Sequence, residues 1–233
     1  MTGSAVVTPR PPMAEPAGAT QDALQALYRK RRDEIAARLR EFRAIWREGN
    51  DEDLFAEMVF CMCAVQTSAR VSDQAARRLR ESGLLLRGSR RRVREVLRGG
   101  YVRFHETKSG WIVGARRRFM EPNPSLRRKL EGLASQPPVL RDWLEGEVPG
   151  LGPKEASHYL RNIGLGENLA ILDRHILHNL QELRVIEALP PSLTRSRYRA
   201  IERDLQAFCE RMAIPVGHMD LLLWAKETGF VFK

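Results

Sequence analysis

From Gln21 onward the hydrophobic positions of the chain recur with a helical period. Leu24, Leu27, Ile35, Leu39, Phe42 and Ile45 form one apolar stripe, which predicts a helix running to about Asn50. A second helix is predicted from about Asp51, carrying Leu54, Phe55, Met58, Val59 and Met62. The same pattern predicts helices near 72–82, 90–98, 106–120, 124–134, 138–145, 153–163, 173–183, 194–213 and 216–228. Gly99-Gly100, Pro122-Asn123-Pro124, Pro137-Pro138 and Pro190-Pro191 supply the breaks. No stretch carries a β-hairpin signal, so the expectation is an all-α protein of some ten helices with short connections. Residues 1–18, MTGSAVVTPRPPMAEPAG, lack any period and read as a disordered leader. Residues 19–233 then form one folded unit.

Charge changes this picture. The chain has 39 basic and 29 acidic side chains, a net charge of +10. An excess of that size on a helical protein favours an anionic partner, nucleic acid before a membrane surface. No apolar run approaches the ~20 residues that cross a bilayer, and the N-terminus lacks the apolar core of a signal peptide. Cys61, Cys63 and Cys209 form no four-ligand set, so no structural zinc or iron–sulfur cluster is expected. The expected location is the reducing cytoplasm, with the nucleoid as the place of work. The run LLLRGSRRRVREVLRGG, residues 84–100, reads equally as a solvated face or a phosphate-facing strip.

Only six of the 39 basic residues are lysines: Lys30, Lys108, Lys129, Lys154, Lys226 and Lys233. One of them stands in VPGLGPKEASHYLRNIG, Val148 to Gly164. Here Gly150 and Gly152 permit a tight turn, and Pro153 suits the first position of a helix because it has no amide hydrogen to leave unpaired. The free amides of such a helix mouth can hold a phosphate. Leu151 is expected to pack inward between the two flanking helices. Lys154 then sits in the first turn, where the helix dipole disfavours a second positive charge. A lysine that only gripped phosphate gains nothing from that position. A nucleophile, which reacts as the free amine, does. Nineteen residues on, in AILDRHIL, Asp173 is placed to cap the next helix, and an aspartate fixed there can also face a developing cation. His158, His175 and His178, with Asp173, offer metal-ligating groups, but only His175 and His178 stand at neighbouring helix positions and no third ligand is well spaced, so no metal site is expected.

These residues resemble the helix–hairpin–helix DNA glycosylase superfamily, and within it the 8-oxoguanine DNA glycosylase/AP lyase branch known from archaea and thermophilic bacteria. The resemblance rests first on VPGLGPKEASHYLRNIG followed by LAILDRHIL. It extends to VFCMCAVQTSA (59–69), VRFHETKSGWIVGAR (102–116) and the ending MDLLLWAKETGFVFK. It implies a two-lobed fold with a cleft between the lobes, and a nucleotide flipped out of the duplex. It implies that Lys154 attacks C1′, expels 8-oxoguanine and forms a Schiff base, and that β-elimination then cuts the strand 3′ to the lesion. Asp173 would stabilise the oxocarbenium-like transition state. Gly150, Leu151 and Gly152 would hold a backbone phosphate, and Gln66 would fill the gap left by the base. Trp224 and Phe104 would stack on the base, with Asp220 bonding nearby. The terminal carboxylate of Lys233 would accept the N7–H that 8-oxoguanine has and guanine lacks.

The implied partner is double-stranded DNA carrying 8-oxoguanine or an abasic site, met by a monomer with no cofactor beyond a monovalent cation at the hairpin. Two rivals stay open at this point. One is a helix–hairpin–helix module that only binds DNA, which needs neither Lys154 nor Asp173. The other is the same scaffold acting on oxidised pyrimidines, a branch that usually carries a four-cysteine cluster this chain lacks.

Overall fold

The computed structural model describes residues 17–233. The leader read from residues 1–18 lies outside the described residues, except that Ala17 and Gly18 already belong to the first helix. Among the described residues there are twelve helices and no strand. They are α1 (Ala17–Glu48), α2 (Asp51–Ala64), α3 (Ala69–Glu81), α4 (Leu84–Arg87), α5 (Arg90–Gly99) and α6 (His105–Phe119). There follow α7 (Leu126–Glu131), α8 (Pro137–Glu147), α9 (Pro153–Asn162), α10 (Arg174–Glu182), α11 (Arg195–Met212) and α12 (Val216–Thr228). None is long and apolar enough to cross a membrane.

Helix starts follow local side-chain chemistry. Asn50 and Asp53 form a reciprocal capping box at α2, with Asp53 N donating to Asn50 Oδ1 at 3.1 Å and Asn50 N to Asp53 Oδ2 at 2.8 Å. Ser68 caps α3 by accepting from Val71 N, which starts that helix three residues before the apolar period shows it. The single turn α4 is too short for periodicity to reveal. In α5, Val93 and Leu97 are buried while Arg90, Arg91, Arg92 and Arg98 face outward.

The buried apolar side chains form two clusters. One gathers α2 to α9, from Leu54 to Leu169, and includes Phe55, Met58, Phe60, Leu97, Ile112, Leu144 and Tyr159. The other joins α1 to α10–α12 through Leu24, Ile35, Leu39, Phe42, Leu180, Tyr198, Phe208, Met219 and Leu222. The first helix of the chain thus packs with the last three, and α9 and the segment after it run from one core to the other. Cys61 and Cys63 are fully buried in the first core; burial pushes the Cys63 thiol up to about 12 and keeps it protonated.

The turn between α8 and α9 is shaped by Gly150. Its φ is +91°, and a Cβ there would stand 2.3 Å from the Trp111 ring of α6. The turn therefore sits flat against α6. Gly150→Ala suffers both the unfavourable φ and the clash. We expect it to lose about 2–4 kcal/mol of stability by chemical denaturation, whereas an unchanged midpoint would mean that the turn is not seated on Trp111.

Candidate active site

A cleft of about 800 Å³ opens between the two cores. One wall comes from residues 64–69, Arg103 and α9, the other from residues 171–176, α12 and Lys233. Of the residues singled out in the sequence, Gln66, Lys154, Asp173, Asp220, Trp224 and Lys233 all line it. Residues up to 167 positions apart in the chain thus meet in one place.

Lys154 follows Pro153 at the start of α9, whose N-cap Gly152 supplies no side chain to occupy the first amides. Its side chain is 21% exposed and its Nζ lies 3.8 Å from Glu155 Oε1. Asp173 caps α10: its Oδ1 accepts from Ile176 N at 2.8 Å, which fixes the carboxylate at the cleft while leaving Oδ2 outside that bond. Asp220 lies in a buried ion pair, with Arg161 Nη1 donating to its Oδ2 at 2.8 Å. Burial pushes the Asp220 carboxyl up from its usual value, and Arg161 opposes that shift. The Lys233 ammonium bonds Glu57 Oε1 at 2.8 Å and Asp73 Oδ1 at 2.9 Å, and rests 4.7 Å from the centre of the Phe60 ring. Burial disfavours that charge, but the two carboxylates outweigh it and raise the ammonium's pKa.

Two residues named from the sequence stand apart from the cleft lining. Phe104 does not line the cleft. It is half exposed, holds a left-handed φ of 56° at the start of α6, and stacks its ring near Arg103. A residue whose backbone must turn the chain into α6 directs its ring by that turn, which no periodicity reports. The amide of Leu151, expected at a phosphate, instead closes the turn by donating to Val148 O at 3.1 Å. Leu151 itself is buried, as its inward packing required. The Gly152 amide, named with it from the sequence, makes no backbone hydrogen bond among the described residues.

The sequence reading passed over Glu155, Arg161 and Arg103 of the cleft, and weighed His158 and His175, which also line it, only as metal ligands. Lys154, His158 and Arg161 stand at positions i, i+4 and i+7 of α9, one helix face, so the spacing itself held the signal. His158 is buried edge-on to Phe60, and neither ring nitrogen has a partner among the described residues. Burial, then the positive charges of Arg161, Lys154 and Lys233, hold its pKa well below the ordinary histidine value, so the ring stays neutral. Trp224 meets His175 edge-on with ring centres 6.1 Å apart, and its Nε1 likewise has no partner. The site thus offers an amine, a fixed carboxylate, a neutral imidazole and an indole face within one cleft. Among the described residues no group of histidine, cysteine and carboxylate side chains is placed to hold a metal ion.

Residues 35–214 match the family described as 8-oxoguanine DNA glycosylase. The chain is 38% identical to an 8-oxoguanine DNA glycosylase/AP lyase of Fusobacterium nucleatum over 210 residues, 90% of this chain and 96% of that protein. The chain belongs to the 8-oxoguanine DNA glycosylase family. A second relative, the 8-oxoguanine DNA glycosylase/AP lyase of Korarchaeum cryptofilum, is 38% identical over 87% of this chain and 91% of its own length. The crystal structure of the 8-oxoguanine DNA glycosylase of Thermotoga maritima superposes with a TM-score of 0.83 at 29% identity, covering 94% of this chain and all of that one. That of the Methanocaldococcus jannaschii 8-oxoguanine glycosylase/lyase, in complex with a 15mer DNA containing 8-oxoguanine, gives 0.82 at 28% identity, covering 92% of this chain and all of that one. Within the family, the cleft that holds Lys154 and Asp173 becomes the candidate for base excision.

Proposed function

We propose that the chain removes 8-oxoguanine from double-stranded DNA and then cuts the strand at the resulting abasic site. The observation that carries this reading is the pairing of Lys154 with the capped carboxylate of Asp173 in one cleft between two cores. A module that merely grips DNA needs the hairpin but has no use for an amine and a fixed carboxylate facing inward.

In this account the neutral Lys154 amine attacks C1′ of the extruded nucleotide. The C1′–N9 bond breaks as the C1′–Nζ bond forms, and the base leaves with the electron pair and takes up the proton that Lys154 Nζ gives up through Asp173. The Asp173 carboxylate stabilises the cationic sugar in the transition state and accepts the proton that Nζ loses. The C1′–O4′ bond of the adduct breaks to give a protonated imine, the C2′ proton that the imine acidifies passes to O4′, and the C3′–O bond breaks with the 3′ phosphate as leaving group. Water then hydrolyses the unsaturated imine and frees Lys154. Trp224 supplies a face on which the base stacks, and Asp220 and Lys233 supply charge at its polar edge. Gly150 and Gly152 shape the phosphate contact, with Gly152 N–H as donor and a monovalent cation as a fitting companion for the turn's carbonyls. Phe104, half exposed beside Arg103, is assigned to the duplex flank rather than the base. The net charge of +10 supplies the long-range attraction to the duplex.

Asp173 separates into a cap and a charge. Asn caps a helix as well as Asp, so Asp173→Asn is expected to keep stability within about 0.5 kcal/mol while lowering single-turnover excision by about 10²–10³-fold. Asp173→Ala is expected to lose the rate and, in addition, about 1 kcal/mol of stability. An Asn variant as fast as wild type removes the charge from the mechanism. The general test is an end-labelled duplex with 8-oxoguanine opposite cytosine: strand cleavage and a borohydride-trapped adduct are expected, and DNA binding without either leaves only the binding module.

A further inference from the structure

Lys108, on α6, takes no part in the chemistry above, yet it is the most completely buried lysine of the described chain, with no exposed side-chain surface. Its Nζ donates to Cys63 O at 2.7 Å, to Val65 O at 2.6 Å and to Thr67 Oγ1 at 3.1 Å. Thr67 Oγ1 also accepts from Arg103 N at 3.2 Å, which draws the chain before α6 into the same knot. An ammonium has three donors, and all three are used. An arginine's planar fork cannot converge three bonds on one point in this way. That is a physical reason for a lysine here, in a chain whose basic residues are 33 arginines to six lysines.

The three acceptors bracket a single residue. Val65 and Thr67 flank Gln66, whose φ of 51° is left-handed, a region that costs a non-glycine residue about 1–2 kcal/mol unless its surroundings fix it. The ammonium holds the carbonyl before Gln66 and the hydroxyl after it, while Cys63 O anchors the end of α2. Trp111, three residues on along α6, meets the hairpin at Gly150. One helix thus braces both the Gln66 loop and the phosphate-facing turn.

We propose that Lys108 is a positioning residue that holds Gln66 in the strained conformation from which its side chain enters the duplex as the base leaves. This rests on the reading of the chain as a base-extruding glycosylase with Gln66 as the inserted side chain. The charge state fits: burial lowers the Lys108 pKa to about 8, the Cys63 thiol raising it, Arg103 lowering it and Glu155 raising it. The amine is therefore mainly an ammonium at neutral pH. Above pH 8 it becomes a neutral amine with two donors for three acceptors.

The test compares two substrates that share the chemistry and differ in the need for extrusion. One is the 8-oxoguanine·cytosine duplex; the other is a single-stranded oligonucleotide with an abasic site, followed by borohydride trapping. Lys108→Met is expected to slow single-turnover excision from the duplex by about 10–100-fold and to leave single-strand trapping within about twofold. Equal losses on both substrates, or no loss on the duplex, overturn the proposal. For the wild-type protein, the ratio of duplex to single-strand rate is expected to fall as pH rises through 8, because one bond of the clamp is lost. A flat ratio from pH 7 to 9.5 overturns it even if the Met variant does not fold. A wild-type chain that traps neither substrate overturns the underlying functional reading, and this proposal with it.

Discussion

Lys154→Gln is expected to abolish both the borohydride-trapped adduct and strand cleavage, lowering the rate by on the order of 10⁴-fold or more, as removal of a covalent nucleophile does elsewhere. Glutamine keeps a polar, hydrogen-bonding side chain and removes the nucleophilic amine together with its charge. Lys154 begins α9 and is partly exposed, so its replacement leaves both cores intact and stability within about 0.5 kcal/mol. Affinity for duplex DNA, carried by phosphate contacts, should fall by less than about tenfold, the value of one phosphate-facing charge. The contrast between lost chemistry and kept binding separates an enzyme from a DNA-binding module. A Gln variant that still cleaves the lesion strand places the nucleophile elsewhere.

The largest effect on stability is expected at Arg161. Its guanidinium is buried against Asp220, with side-chain exposures of 4% and 11%. Removing one member of such a pair strands the other charge, which costs about 3–5 kcal/mol. Arg161→Met is therefore expected to lower the denaturation midpoint sharply at neutral pH. The pH dependence follows from the direction of the Asp220 shift. Burial already raises its pKa, and the loss of Arg161 removes the charge that opposes burial, so the variant's Asp220 takes up a proton more readily. The deficit should therefore shrink as pH falls and the stranded carboxylate becomes neutral. The double variant Arg161→Met/Asp220→Asn should recover part of the loss. A deficit that is independent of pH contradicts the ion-pair account. Because both residues line the cleft, folded Arg161→Met protein should also excise 8-oxoguanine more slowly.

What could be read from the sequence, and what could not, divides along physical lines. The helix of Leu24–Ile45 is legible because burial of one face imposes the helical period on its apolar residues, whereas Leu54–Met62 and Val216–Thr228 are buried nearly all round and are legible as dense apolar runs. Lys154 and Asp173 were legible because their chemistry is tied to local signals, a Gly-Pro helix start in one case and an N-cap in the other. The start of α3 was displaced because Ser68, rather than an apolar residue, sets it. Phe104 shows the sharper limit: its backbone is left-handed, and such a turn aims a side chain by geometry that residue spacing does not encode. The pairing of Lys233 with Glu57 and Asp73 joins residues more than 150 positions apart and leaves no local trace. His158 and Arg161, by contrast, lay on the Lys154 face of α9 in plain helical register.

The proposed chemistry depends on one bond, between Lys154 Nζ and C1′ of the damaged nucleotide. The measurement that tests it most directly is peptide mass spectrometry of the borohydride-trapped complex with an 8-oxoguanine duplex. The sugar-derived mass should be found on the peptide containing Lys154. The same adduct on a peptide bearing Lys108, Lys233 or another of the six lysines, or no adduct from a protein that cleaves the strand, would contradict it.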